Sequence, residues 1–156
     1  MAVTYGPHRA HNPDMAMWAM AFVAGFLAVL AFHQPMLALL NSIGFVEAGT
    51  YSMQGTRPFG VPQVLSLAFW GGAWGILFAL AERRFPHGAG YWVASFLFGA
   101  ILPTLVAWFI VAALKGQPLA AGGDGHRMIM GLLINGAWGI GTALLLLLGM
   151  RLRAAR

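Results

Sequence analysis

Cysteine is absent from the 156 residues of this chain. Disulfide bonds, thiol redox chemistry and metal sites with cysteine ligands are therefore excluded. Charge is also scarce, because Asp, Glu, Lys and Arg make up 8% of the sequence, against about 25% in a typical soluble domain. This composition argues against an ordinary water-soluble domain, and the few charged residues indicate where the chain meets water.

Four long segments contain no Asp, Glu, Lys or Arg: residues 15–33, 61–81, 91–114 and 128–150. About 20 apolar residues in a helix cross the roughly 30 Å hydrocarbon layer of a membrane. Such a segment must pair its own backbone N–H and C=O groups, which favours helix at this length. The sequence therefore predicts an all-α integral membrane protein with four transmembrane helices, forming a single domain over residues 1–156.

The sequence Gly-Ala-Trp-Gly-Ile occurs twice, at residues 72–76 in the second segment and 136–140 in the fourth. The first and third segments share a second pattern, in which Trp, Phe and Gly recur at one spacing: Trp18, Phe22 and Gly25 against Trp92, Phe96 and Gly99. We therefore predict a tandem duplication of a two-helix unit. Two copies that enter the membrane in the same direction are related by an axis along the membrane normal.

Small residues line one face of the second and fourth helices. They let helix backbones approach closely, which drives association where lipid offers no hydrophobic force. We expect this face to pack the second helix against the fourth, or alternatively to form the interface of an oligomer. Trp74 and Trp138 lie off this face and are expected to contact lipid or a partner, and Leu146 is expected to face lipid. The glycines expected at helix contacts are Gly25, Gly72, Gly75, Gly99, Gly136 and Gly139.

The first connection is the longest, and its residues 35–46 are too apolar for a solvated loop. Three interpretations are open: an extension of the first helix bent at Pro35, a short helix lying in the membrane interface, or a re-entrant segment. The remainder of the connection is rich in Gly, Pro, Ser and Thr and is expected to be irregular. Residues 1–13 are polar and are expected to be loose, with Asp14 capping the first helix.

Lys and Arg are distributed unequally between the two ends of the predicted helices. The positive-inside rule places the richer end, which holds both termini, in the cytoplasm. The net charge of +5 at helix ends suits membrane lipids, and without a basic run it does not suit nucleic acid. We predict a bacterial inner-membrane location. The richer end has Arg9, Arg83, Arg84, Arg151, Arg153 and Arg156, and the other end has Arg57, Lys115 and Arg127.

Polar groups at membrane depth are candidate functional residues. His33 could ligate the metal of a haem or chlorin or bind a quinone, although a hydrogen bond near the headgroups is the simpler interpretation. His126 is a candidate second ligand of a bis-histidine haem, but it lies in a glycine-rich turn. Asp124 in that turn is expected to cap the fourth helix. No spacing typical of a metal-binding motif occurs.

Two further candidates lie within the third and fourth segments. An unpaired amide in a membrane is costly, so Asn135 is expected to form a hydrogen bond between helices. Pro103 is expected to bend the third helix. Such a bend would open a binding pocket beside Thr104.

Three functions are compatible with these features. The first is a non-catalytic accessory or scaffold subunit of a homo-oligomer or larger membrane complex. The second is a small transporter or channel for a neutral or lipid-like solute, and a membrane enzyme ranks last because no catalytic set of residues converges. In architecture alone the chain resembles small four-helix bacterial inner-membrane proteins, a resemblance that implies no functional residue.

Overall fold

A computed structural model describes residues 15–155. The predicted cap Asp14, the segment 1–13 and the arginines at positions 9 and 156 lie outside the described residues. Four helices are long and apolar enough to cross a membrane, which confirms the predicted helical class. They are α1 (Met15–Ser42), α2 (Gln63–Arg84), α3 (Ala89–Leu114) and α4 (Gly125–Ala154).

Helix α1 runs on beyond the predicted end at residue 33. A π-helical turn at Val29–His33 leads directly into the helical segment Gln34–Ser42. Pro35 explains the wider turn, since its ring would clash with the carbonyl four residues earlier and it has no N–H to give. Residues up to Ser42 thus continue α1, and His33 is inside the helix instead of near its end.

The long connection after α1 is fastened to that π-helical turn by Tyr51. The Gln34 N–H is bonded to the Val29 carbonyl, and Pro35 has no N–H, so the Leu30 carbonyl needs another donor. The Tyr51 hydroxyl supplies it at 2.8 Å. The Tyr51 N–H donates to Gln34 Oε1, also at 2.8 Å. The connection then forms a short antiparallel ladder between β1 (Gly55–Thr56) and β2 (Val61–Pro62).

The glycine-containing faces join each helix to its neighbour in the chain, α1 to α2 and α3 to α4. The expectation that α2 packs against α4 through these faces was wrong. A Cβ atom added to Gly25 would meet the Gly71 carbonyl oxygen and come within 2.9 Å of the Gly75 Cα. One added to Gly99 would meet the Asn135 carbonyl oxygen and come within 2.9 Å of the Gly139 Cα. Each pair of helices is therefore in backbone contact.

The first glycine of each Gly-Ala-Trp-Gly-Ile motif is covered by an aromatic ring. The Phe22 side chain lies over Gly72, and the Phe96 side chain lies over Gly136. These four residues occupy matching positions in the two halves of the sequence. The two helix pairs are thus held by equivalent contacts.

Helix α4 is the central element, because it packs along α3 on one side and along α1 on the other. Trp138 faces α1, is 2% exposed, and donates its indole N–H to the Gly25 carbonyl at 2.9 Å. Leu146 is fully buried. Trp138 was expected to contact lipid or a partner, and Leu146 to face lipid. Both expectations were wrong for the same reason: α4 has helices on two sides.

The matching contact between α2 and α3 is wider. Phe98 of α3 meets Phe78 and Trp74 of α2, with ring centroids 5.3 and 6.4 Å apart. In the equivalent contact between α1 and α4, Ala24 and Thr142 occupy the positions of Phe98 and Phe78. Small residues let α1 and α4 approach closely, whereas the aromatic pair holds α2 and α3 apart.

Asp124 caps α4 as predicted. Its Oδ1 accepts the N–H of Arg127 at 3.2 Å, which satisfies one of the free donors of the first turn. The Arg127 side chain returns to the same carboxylate, with Nε 3.5 Å from Oδ2. The start of α4 is therefore set by residues close together in the sequence.

Candidate functional site

Thr104 and Asn135 connect α3 to α4. The Asn135 amide donates to Thr104 Oγ1 at 2.8 Å, and the Thr104 hydroxyl donates to the Gly131 carbonyl at 3.2 Å. The amide therefore has a partner on another helix, the type of bond expected of it.

The pocket expected beside Thr104 is not open. Thr104 is 1% exposed, and a Cβ atom on Gly131 would lie 3.5 Å from both the Thr104 methyl group and Trp108 Nε1. Glycine at position 131 lets α4 come close enough to fill the space. Helix α3 instead widens into a π-helical turn at Val106–Val111, just after Pro103.

His33 is buried in α1, with 8% of its surface exposed. Its Nδ1 is buried and has no hydrogen-bond partner within residues 15–155. The imidazole is enclosed by protein, so the described arrangement offers no open face for a macrocycle or quinone ring. The neighbouring Gln34 is 2% exposed and is held by Tyr51.

His126 lies in the first turn of α4 and is exposed. Its ring packs against Phe45, with ring centroids 5.0 Å apart. His33 and His126 thus occupy different environments, one enclosed and one open to solvent or headgroups. Among residues 15–155, no group of three or more His, Cys, Asp or Glu side chains is placed to hold a metal ion.

A cavity of about 490 Å³ lies at the end of the molecule where α2 stops and α3 begins. Glu82 and Tyr91 stand on its wall, and the Tyr91 hydroxyl donates to Glu82 Oε2 at 2.8 Å. Leu147 and Met150, in the last turns of α4, close one side. Polar groups of the α2–α3 connection and apolar groups of α4 therefore line the same space.

Reasoning from the sequence missed this cavity. Arg83 was used only for orientation, and no role was assigned to Glu82 or His87. The usable signal was a lone acid at the end of one apolar segment and a tyrosine, Tyr91, at the start of the next. Position in the sequence does not reveal that Leu147 and Met150 of α4 line the same space as Glu82 and Tyr91.

The fold defines this chain as a helical protein with four helices of membrane-spanning length and composition. No protein-family model matches it, and neither do any curated proteins or solved structures.

Proposed function

We propose that this chain is an integral protein of the bacterial inner membrane and acts as a non-catalytic accessory or scaffold subunit. It works through helix contacts within the membrane plane. The observation that supports this most is the use of its intramembrane polar groups. Asn135, Thr104 and Trp138 all make hydrogen bonds that join one helix to another. The exposed side chains of the helices are largely apolar.

One outward face has features of a contact site for another membrane helix. Phe69 and Trp70 of α2 are 53% and 61% exposed. Their ring centroids are 5.7 Å apart, and Phe69 is 5.8 Å from Phe22 of α1. Aromatic side chains carry large apolar contact area.

The position that matches Trp70 in the second half of the chain is covered by a helix. Ile134 corresponds to Trp70, and it is only 8% exposed because it packs in one cluster with Leu37 and Leu40 of α1. The protein covers this face with a helix in one half and leaves it open in the other. We call Phe22, Phe69 and Trp70 the aromatic face and assign it to a partner helix or a second copy.

The test uses the protein extracted with its native lipid. We expect a defined complex, either a homo-oligomer or a stoichiometric assembly, when its mass is measured by native mass spectrometry. Phe69→Ala combined with Trp70→Ala should dissociate it, whereas Phe109→Ala should not. Phe109, on α3, is a matched control because it is 50% exposed and lies away from the aromatic face.

Reconstitution of the protein alone into liposomes supplies the second arm. We expect no flux of protons, common ions or small neutral solutes above that of empty liposomes. A monomer that carries out such transport would overturn the scaffold role. It would support the alternative, a small transporter or channel for a neutral or lipid-like solute.

The scaffold is built, in this proposal, from a tandem duplication of a two-helix unit. The equivalent contacts support it: Gly25 against Gly75 in one pair and Gly99 against Gly139 in the other. Both pairs run in the same direction, so their axis lies along the membrane normal.

The proposed topology places both ends of the chain and the α2–α3 connection in the cytoplasm. Six Lys and Arg residues lie at that end of the sequence pattern, against three at the other, and cytoplasmic loops carry the excess. We expect a reporter active only in the cytoplasm to work when fused after Arg156 and to fail when inserted within residues 116–125. A periplasmic readout at the C-terminus would contradict this orientation.

A further inference from the structure

We propose that the cavity between the α2–α3 connection and the end of α4 binds the headgroup of a zwitterionic phospholipid that carries a primary ammonium group. The cavity, at about 490 Å³, is within the range of roughly 300–1,000 Å³ common for small-molecule sites. The site rests on the membrane location proposed above but not on the scaffold role, because it lies at the helix ends and not on the aromatic face.

The position of the cavity fits a lipid headgroup. It lies where two membrane-spanning helices end, beside exposed charged residues of the α2–α3 connection. Trp92, 38% exposed at the start of α3, is on its wall, and tryptophan is enriched at the level of the headgroups. Leu147 and Met150 of α4 form the apolar part. An amphiphile could therefore place its polar group among charges and its chains against α4.

The ammonium group is assigned to Glu82. The Tyr91 hydroxyl donates to Oε2 of this carboxylate at 2.8 Å, which fixes the side chain and leaves Oε1 to accept from a ligand. A primary ammonium has three N–H donors, and hydrogen bonds between ionised groups are about twice as strong as neutral ones. A quaternary choline group has no N–H and cannot make that bond.

The phosphate is assigned to the rim of the cavity formed by Arg83 and His87. Both line the cavity and are exposed. The guanidinium is suited to bidentate contact with phosphate oxygens. A headgroup with a phosphate and no ammonium would bring a second negative charge near Glu82 and give that carboxylate no N–H donor, so the combination of Glu82 and Arg83 selects a zwitterion.

The experiment compares three phospholipids of identical acyl chains on the delipidated, full-length protein in detergent. Their headgroups are ethanolamine, choline and glycerol, and bound lipids are counted by native mass spectrometry. We expect the ethanolamine lipid to bind about tenfold more tightly than the choline lipid, as one charge-assisted hydrogen bond implies. Equal binding of the two, or tighter binding of the glycerol lipid, would overturn the assignment.

Variants test the assigned residues. Glu82→Gln should reduce the ethanolamine preference to less than about twofold, and Arg83→Gln should weaken all three lipids alike. Arg151→Gln is a control, since it removes the same charge as Arg83→Gln at an exposed arginine in the last turns of α4. It should change neither the ethanolamine preference nor the affinity for the three lipids. If Glu82→Gln does not fold, Tyr91→Phe, which removes the hydrogen bond to Glu82 Oε2 but keeps the carboxylate, should lower the ethanolamine preference. An unchanged preference in a folded Glu82→Gln, or in Tyr91→Phe, would contradict the site.

A soluble headgroup carries the same charges as the lipid. A competition experiment therefore distinguishes a membrane lipid from a free metabolite as the ligand. Glycerophosphoethanolamine lacks acyl chains and cannot use the wall formed by Leu147 and Met150. We expect it to compete with the lipid only weakly, by a factor of about 100 or more. Equal affinity would show that a free metabolite, not a membrane lipid, is the ligand, and would overturn the lipid assignment.

Discussion

Leucine at position 139 is expected to separate α3 from α4 and to lower the free energy of unfolding by more than about 3 kcal/mol. The reason is that the space beside Gly139 is filled by backbone and not by flexible side chains. A Cβ atom there would meet the Ser95 carbonyl oxygen and lie 3.2 Å from the Gly99 Cα. Neither atom can move unless the whole helix moves.

Leucine at position 75 should be equally damaging to the α1–α2 pair. A Cβ atom on Gly75 would meet the Ala21 carbonyl oxygen and lie 3.0 Å from the Gly25 Cα. Unfolding in mixed micelles, followed as SDS is titrated, measures both losses. The two substitutions lie in different helix pairs, so we also expect their effects to add approximately.

A matched glycine supplies the control. Gly125 begins α4, has no neighbouring atom within 4 Å of an added Cβ, and can take leucine without displacing a helix. Leu148→Ile is a second control, since Leu148 is 44% exposed. A Gly139→Leu protein as stable as the Gly125→Leu protein would show that the glycine contacts do not hold the bundle.

The sequence predicted the helices well, because their length and lack of charge follow from what a hydrocarbon layer requires. It also predicted the cap at Asp124, which depends on residues adjacent in the chain. Which helices pair was predicted wrongly. The small-residue face of α2 is equally suited to α1 or α4, and the choice depends on Gly25, which meets Gly71 and Gly75 across the α1–α2 contact.

The surroundings of individual side chains were harder to predict for a related reason. A helical wheel gives the angle of Trp138 from the glycine face, but it does not tell how many neighbours the helix has. Likewise, an apolar segment ending at His33 hides the fact that the helix continues to Ser42. The cavity at Glu82 joins residues 82–92 to Leu147 and Met150, which come much later in the chain, so no local pattern describes it.

The two motif tryptophans offer the sharpest test of how the halves of the molecule differ. They occupy the same place in the repeated sequence, yet Trp138 is 2% exposed and bonded to the Gly25 carbonyl at 2.9 Å. Trp74 is only partly buried and contacts Phe98 edge-on, with ring centroids 6.4 Å apart. The same substitution at each should therefore have different effects.

Trp138→Ala is expected to destabilise the protein by about 3–5 kcal/mol, as for other large aromatic side chains removed from a core. Trp74→Ala should lower stability by less than half as much, since part of its surface is already exposed. Both are measured by the same SDS titration, with the helical circular dichroism signal as readout so that loss of a tryptophan does not bias it.

Trp138→Phe separates the hydrogen bond from the packing. It removes the indole N–H that reaches Gly25 but keeps most of the ring against Phe78, whose centroid is 6.4 Å away. Hydrogen bonds between membrane helices contribute about 0.5–2 kcal/mol, so the loss should be smaller than for alanine yet larger than for Trp74→Phe, which breaks no such bond. Equal losses for Trp138→Phe and Trp74→Phe would show that the Trp138–Gly25 bond does not hold α4 to α1. Equal losses for the two alanine variants would place both tryptophans in the same surroundings and contradict the asymmetry between the close α1–α4 contact and the wide α2–α3 contact.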